Sequence, residues 1–194
     1  RRPLLWRYSR RTMRRIVVFG TTGSGKSWLA ERLVAEKGLR LIELDALFWG
    51  PDWQPAPLEL FRHRVECETR DGDWIAVGIY GQVRDIVWQR ADMLVWLDLP
   101  LPLVMWRLFW RTLRRIVTRE DLWGPGNRES LRRTLLSRDS ILLWALKTHG
   151  RNRRRFGEEC SNFAAGRTVI RLKSSRDVER FVAGHAGLAQ PLAA

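Results

Sequence analysis

Short apolar runs alternate along this chain with longer segments in which apolar residues recur every three or four positions. The apolar runs predict buried β-strands at residues 15–19, 39–44, 74–78, 93–98 and 168–172. The periodic segments predict helices at residues 28–35, 58–70, 83–90, 101–118, 129–155 and 176–183, the last with Ser175 as its N-cap. Strands that alternate with helices predict an α/β fold in which a parallel sheet is covered on both faces.

Segments without such periodicity mark the loops and the ends of the domain. Residues 46–57 are rich in proline and tryptophan, and residues 120–127 contain Gly-Pro-Gly. Residues 1–12 hold five arginines and little periodicity, so we expect a flexible basic extension there. One domain is expected over residues 13–184, followed by a flexible tail at residues 185–194.

The most informative segment is residues 20–27, Gly-Thr-Thr-Gly-Ser-Gly-Lys-Ser, between a predicted strand and a predicted helix. This is a complete G-x-x-x-x-G-K-[ST] phosphate-binding loop, whose glycines let successive backbone N–H groups point at phosphate oxygens. Lys26 is expected to reach the β- and γ-phosphates, and the Ser27 hydroxyl to ligate Mg²⁺. The residues expected to hold ATP are Gly20, Thr21, Thr22, Gly23, Ser24, Gly25, Lys26, Ser27 and Trp28.

The charge of the chain is strongly positive. Its 35 basic and 21 acidic residues give a formal net charge of +14, and lysine occurs only at positions 26, 37, 147 and 173, so 31 of the basic residues are arginines. Arginine binds phosphate groups through two parallel hydrogen bonds, which makes nucleic acid a rival to a small-molecule partner. The arginines are scattered among the predicted helices rather than gathered in a nucleic-acid motif, and this favours the small molecule.

A protein-held transition metal, redox chemistry and a membrane function find little support in the sequence. Cys67 and Cys160 lie far apart and match no metal or redox spacing, which is typical of free thiols in a reducing cytosol. The three histidines form no pair at metal-ligand spacing. The most apolar stretch, residues 93–106, contains Asp98 and two prolines and is too short to span a membrane. We therefore expect a cytoplasmic protein without a membrane partner.

Several further motifs resemble those of the adenylate-kinase-like branch of P-loop kinases, and more closely those of the bacterial topology modulation proteins. They are the segments 44–49, 83–88, 95–100, 127–132 and 137–140, and the resemblance covers roughly residues 14–184. It implies a three-layer α/β/α P-loop NTPase fold with a five-stranded parallel sheet in the order 2-3-1-4-5. It also implies a small helical lid at about residues 112–138 and an ATP-dependent kinase activity.

The resemblance further implies which arginines act in the reaction. Enzymes of this branch carry two arginines one helical turn apart after the fourth strand, a spacing that Arg107 and Arg111 match. They would contact the nucleotide phosphates and spread the charge of the transferring phosphoryl group. Arg138, in the implied lid, would close over the donor phosphates and help to exclude water. A solvated surface position is the alternative for each of the three.

The acceptor would lie between the loop after the second strand and the helix that follows it. Asp45 is placed there to orient a Mg²⁺-bound water or to accept a proton from an attacking hydroxyl, and Asp98, which ends the fourth strand, is a second candidate beside the metal. Trp49 could stack on a ring of the substrate or anchor the loop. Arg84 could hold an acceptor phosphate or form an ion pair with Asp85.

One position departs from the family pattern. Members usually carry Asp-Gly-Asn-Tyr after the third strand, whereas residues 77–80 are Val-Gly-Ile-Tyr. The carboxylate that would support Mg²⁺ is therefore missing at Val77, which weakens metal positioning. Three functions stay open: a Mg²⁺-dependent kinase acting on a small molecule or nucleotide, a catalytically weak nucleotide-binding regulatory protein, and a nucleic-acid-associated ATPase. The kinase is the leading hypothesis.

Overall fold

The structure is a computed structural model that describes residues 14–118, 122, 123, 127, 141–163 and 168–186 of the 194-residue chain. Its strands are β1 (Arg15–Gly20), β2 (Arg40–Glu43), β3 (Trp74–Val77), β4 (Met93–Leu97) and β5 (Thr168–Leu172). Its helices are α1 (Lys26–Lys37), α2 (Leu44–Phe48), α3 (Leu58–Arg70), α4 (Arg84–Arg90), α5 (Leu101–Thr118), α6 (Ile141–Phe163) and α7 (Ser175–Ala186). Short 3₁₀ turns occupy Pro51–Trp53 and Gly81–Val83.

The five strands are all parallel and lie in the order β2-β3-β1-β4-β5, which confirms the predicted sheet. The central strand β1 is covered on both faces. Ile16 and Val18 belong to the apolar core on one side of the sheet, and Val17 and Phe19 belong to the core on the other. A strand buried on both faces has no polar position, which is why it was recognisable as a continuous apolar run.

Helices cover both faces of the sheet and complete the two cores. Leu29 of α1 and Phe181 of α7 pack on one face. Phe61 of α3, Val87 of α4 and Phe156 of α6 pack on the other. Because all strands run in the same direction, the segments that follow β1, β2, β3 and β4 meet at one edge of the sheet, where the candidate site lies.

Two elements differ from their predicted bounds because apolar residues continue a helical stripe. Residues 44–48 form α2 rather than a strand end and a loop, since one helical turn lets Leu44 and Phe48 both pack on the core beside α3. Helix α6 runs past residue 155, because Phe156, Cys160 and Phe163 extend its buried face. The part of its predicted helix before residue 141 lies outside the described residues.

The N-cap of α7 is Ser174, one residue before the predicted Ser175. The Ser174 hydroxyl accepts a hydrogen bond from the backbone N–H of Asp177 at 3.1 Å, and the Asp177 carboxylate accepts one from the backbone N–H of Lys173. This cap leaves the Ser175 side chain available for a different contact, described below.

Candidate functional site

The phosphate loop connects β1 to α1 along a path that only glycine permits. Gly23 has a φ of 78°, and Gly25, which precedes α1, has a φ of 91°. A Cβ atom on Gly23 would lie 2.9 Å from the carbonyl oxygen of Val104 and from the side chain of Leu108, so α5 packs directly against the loop. Within the described part of the chain the buried Ser24 hydroxyl has no hydrogen-bond partner, which fits a loop built to receive ligand oxygens.

Lys26 begins α1 with its ammonium group folded back over the loop. Its Nζ donates a hydrogen bond to the carbonyl oxygen of Thr21 at 3.1 Å. Burial lowers the pKa of Lys26 from 10.5 to about 8; the carboxylate of Asp45 opposes this change and the cation of Arg111 adds to it. Three predicted site residues from α1, α2 and α5 therefore share one electrostatic environment.

Asp45 lies in the first turn of α2, and its carboxylate accepts a hydrogen bond from the hydroxyl of Tyr80. Burial, and then the charge of Asp45, raise the pKa of Tyr80 above the usual range of a phenol. Tyr80 thus remains a hydrogen-bond donor to Asp45 across the ordinary pH range. This contact was not predicted, although Tyr80 belongs to the Val-Gly-Ile-Tyr segment, where the sequence departs from the pattern of the proteins that it resembles.

Arg107 joins the phosphate loop to the start of α7. One guanidinium nitrogen donates to the carbonyl oxygen of Ser24 at 3.3 Å, and the other donates to the hydroxyl of Ser175 at 3.0 Å. The structure thus brings Arg107 to the loop by contact, while Arg111 lies near enough to Lys26 to lower its pKa.

Asp98 lies at the end of β4, but its carboxylate is committed elsewhere. It is buried and accepts hydrogen bonds from Arg171 at 2.6 Å and from Arg153 at about 3 Å. The Arg171 guanidinium also stacks over the ring of Trp96 at 4.3 Å. A cation bound at Asp98 would face two arginines, which disfavours this carboxylate as a metal ligand.

Arg84 forms an ion pair, but not with the neighbour that the sequence suggested. Asp85 is paired with Arg62 at 2.8 Å, which lowers the pKa of its carboxyl group. Arg84 instead donates to Glu159 of α6 and lies over the ring of Trp88. Two buried nitrogen atoms of Arg84 have no hydrogen-bond partner in the described part of the chain. Arg84 and Tyr80 both line a cavity of about 10 Å³. This volume is close to the smallest that holds one water molecule.

The loop after α2 is held in place by aromatic rings and by one buried amide. Trp49 packs edge-to-face against Phe48 and Trp53, which supports its role as an anchor of the loop. The amide of Asn127 accepts a hydrogen bond from the backbone N–H of Trp53 and donates one to the carbonyl oxygen of Gly50 at 3.0 Å. Asn127 is fully buried, so its amide ties residue 127 to the loop after α2.

Val77 is buried and carries no polar group into the site, but a carboxylate lies on the neighbouring strand. Glu43 is in register with Val77 in the β2–β3 pair. Because Ile42 and Leu44 face the core beside α3, Glu43 emerges on the same face of the sheet as Val77. Its carboxylate accepts a hydrogen bond from the indole N–H of Trp123 at 2.8 Å. In the sequence, Glu43 could have been recognised as a candidate site residue by its position two residues before Asp45.

The described residues include no group of three or more His, Cys, Asp or Glu side chains positioned to hold a metal ion. Mg²⁺ at a nucleotide site needs only one or two protein ligands, because phosphates and water supply the rest. The exposed Ser27 hydroxyl and the Asp45 carboxylate fit that requirement. Arg138 and most of the predicted lid lie outside the described residues. None of the described helices is long and apolar enough to cross a membrane.

Comparisons with known proteins find similar folds but no close relative. No protein-family model matches the chain, and no curated protein matches it in sequence. A shikimate kinase from Acinetobacter baumannii in complex with shikimate is 15% identical, with 91% of this chain and 93% of that chain covered and a TM-score of 0.51. A gluconokinase from Sinorhizobium meliloti 1021 is 20% identical over 93% and 95% of the two chains, with a TM-score of 0.49. The likeness to the shikimate kinase shows the fold alone, an α/β fold with a five-stranded parallel sheet in the order 2-3-1-4-5.

Proposed function

We propose that this chain is an ATP-dependent phosphotransferase that moves the γ-phosphoryl group of ATP to a hydroxyl group of a small molecule. The observation that carries the proposal is that Asp45 and Arg111 both lie near enough to Lys26, which folds back over the phosphate loop, to change its pKa. Two cations and one carboxylate at that point match the two needs of phosphoryl transfer: charge stabilisation of the donor and orientation of the acceptor. The motifs of the sequence favour the topology modulation branch of the adenylate-kinase-like proteins.

The cations would act on the donor side. Lys26 lies where the β- and γ-phosphates of a bound triphosphate are expected, and Arg107 contacts the loop that would hold them. Arg111 would share the negative charge that spreads over the γ-phosphoryl oxygens during transfer. Because the Lys26 ammonium and the Arg107 guanidinium are held in advance by hydrogen bonds, these two groups need little reorganisation as the charge develops.

Asp45 would act on the acceptor side. Its carboxylate lies near enough to Lys26 to raise the pKa of that ammonium group and is oriented by Tyr80, so it can accept a proton from an attacking hydroxyl group. Bound Mg²⁺ would neutralise the phosphate charge, with Ser27 as a ligand and Asp45 or Glu43 as the supporting carboxylate. Trp49 and Arg84, on the segments that follow β2 and β3, would border the acceptor.

The proposal is tested by ADP release from ATP across a panel of sugars, sugar acids, hydroxy acids, nucleosides and nucleoside monophosphates. We expect one class to accelerate ADP release above the hydrolysis background, with phosphorylated product visible by mass spectrometry. Lys26→Ala and Asp45→Asn should both abolish the acceleration, whereas Leu58→Ser, an exposed position on α3, should not. Acceptor-dependent turnover that survives Lys26→Ala would contradict the proposal.

A second function is favoured by one observation, the buried Val77 where kinases of this type carry a carboxylate. The chain would then bind ATP as a regulatory protein with little transfer. ATP binding measured by equilibrium dialysis, with no acceptor in the panel active, would support this alternative. In that case Val77→Asp should create measurable transfer, and Glu43→Gln should have no effect on turnover.

A further inference from the structure

Seven of the ten large apolar side chains that are exposed in the described residues lie on only two helices, α5 and α6. Those on α5 are Trp106, Phe109, Trp110 and Val117, and those on α6 are Leu143, Trp144 and Leu146. The two helices pack against each other. Exposed apolar residues scattered singly are ordinary, but such a concentration marks a surface that contacts something other than water.

The same two helices are basic and contain no acidic residue over most of their length. Residues 101–118 and 141–157 hold eight arginines and one lysine, and neither segment holds an aspartate or glutamate. Arg114 follows Trp110 by four positions and Lys147 follows Leu143 by four, so each cation shares a helix face with an exposed apolar residue. Arg114, Lys147 and Arg151 are exposed and form no ion pair with any described residue.

Against the expectation from the sequence that the chain has no membrane partner, we propose that this surface of α5 and α6 docks on an anionic lipid bilayer. A helix surface with tryptophan, phenylalanine and leucine beside arginine and lysine has the composition that lies in the membrane interface. Indole rings favour the headgroup level, and the cations pair with anionic lipid headgroups. Since none of the described helices can span a bilayer, the contact would be a surface contact.

Two other occupants fit the observations less well. A second copy of the chain would place the exposed cations Arg114, Lys147 and Arg151 against their own counterparts, with no acidic side chain in residues 101–118 or 141–157 to pair with them. A single-stranded nucleic acid would need free ring faces for stacking. Here Trp106 and Trp110 meet edge-to-face at 5.4 Å and Phe109 and Trp110 at 5.7 Å, so Trp144 is the ring of this surface that makes no such contact with a described residue, and the leucines offer no ring. A lipid surface matches the charge and accepts aliphatic and aromatic side chains alike.

The test is co-sedimentation of the full chain with sucrose-loaded vesicles. Vesicles of phosphatidylcholine and phosphatidylglycerol in equal parts should bind the protein, vesicles of phosphatidylcholine alone should bind it weakly, and added salt should weaken the binding. Leu143→Ser with Leu146→Ser should lower the partition coefficient about tenfold. Lys147→Gln with Arg151→Gln should lower it by about tenfold or more.

A matched control exists on α3. Leu58 and Leu60 are 51% and 41% exposed, nearly the same as Leu146 and Leu143 at 52% and 41%. Leu58→Ser with Leu60→Ser should therefore leave vesicle binding unchanged, and equal losses in both leucine pairs would overturn the proposal. Absence of binding to the anionic vesicles would overturn it as well. So would a dimer, or a complex with single-stranded RNA, that the Leu143 and Leu146 substitutions disrupt while vesicles stay unbound. Urea unfolding of each variant verifies the fold.

Discussion

The hydroxyl of Tyr80 donates a hydrogen bond to the carboxylate of Asp45 and so ties the segment after β3 to the first turn of α2. Tyr80→Phe keeps the ring and removes this donor. We expect kcat for phosphoryl transfer to fall about tenfold with little change in KM for ATP, because Asp45 loses its orientation while the phosphate loop is untouched. Asp45→Asn should lower kcat at least about 100-fold. Steady-state kinetics measure kcat and KM of both variants. An unchanged kcat in Tyr80→Phe would show that the contact between Tyr80 and Asp45 is only structural.

Lys26 should oppose folding at neutral pH. Its pKa is about 8 in the folded protein and 10.5 in an unfolded chain, so the folded state binds this proton more weakly. The destabilisation of the folded state by the charged form of Lys26 is fully present below pH 8. It disappears as the pH rises towards 10.5. Lys26→Met should therefore raise the free energy of unfolding by roughly 2–3 kcal/mol at pH 7 and by much less at pH 10.5. Urea denaturation at both pH values measures this, and a pH-independent difference would contradict it.

The same pKa predicts how activity depends on pH. Transfer needs the ammonium form of Lys26, and this form is lost in the free enzyme as the pH rises through about 8. We expect kcat/KM for ATP to decline above that pH, whereas kcat declines only at higher pH because bound phosphates favour the cation. A kcat/KM that stays level up to pH 10 would argue against a role for Lys26 in ATP binding.

Two substitutions can distinguish the structural role of Arg107 from its proposed role in phosphoryl transfer. Ser175→Ala removes one of its two hydrogen bonds and should cost about 1 kcal/mol of stability while transfer stays within about threefold of wild type. Arg107→Ala removes both bonds and the cation, and should lower transfer at least about 100-fold. Equal losses of activity in the two variants would mean that the position of α7, not the cation, limits the reaction.

Asp98 should matter for stability and not for the metal. Asp98→Asn leaves Arg153 and Arg171 beside a neutral amide, and because both arginines are partly exposed the cost should be about 2–3 kcal/mol. The Mg²⁺ concentration for half-maximal activity should not change. Adding Arg171→Met should recover part of the lost stability, as measured by urea denaturation. A shifted Mg²⁺ requirement in Asp98→Asn would return this carboxylate to the metal site.

The sequence predicted the elements whose information is local. The apolar runs located every strand to within two residues, and the phosphate loop was readable because its glycines, lysine and serine are contiguous. The ion-pair partners of individual charged side chains could not be predicted from the local sequence. Arg84 pairs with Glu159 and Asp98 with Arg171, contacts that span more than 70 residues and depend on how α6 and β5 meet the sheet. In the sequence, Asn127 appeared only as part of the motif at residues 127–132. No local pattern indicates that its amide is buried against Gly50.

The two hydrogen bonds of Arg107 have a consequence for how the protein is made. They join Ser24 to Arg107 and Arg107 to Ser175, residues separated by 83 and 68 positions. The phosphate loop leaves the ribosome early, but the serine that completes its support comes with α7, and β5 supplies the backbone acceptor for Asp98 at the same late stage. A nascent chain that carries the whole nucleotide motif therefore still lacks the finished nucleotide site. We expect the ATP affinity that the proposed function requires to be complete only after α7 has emerged.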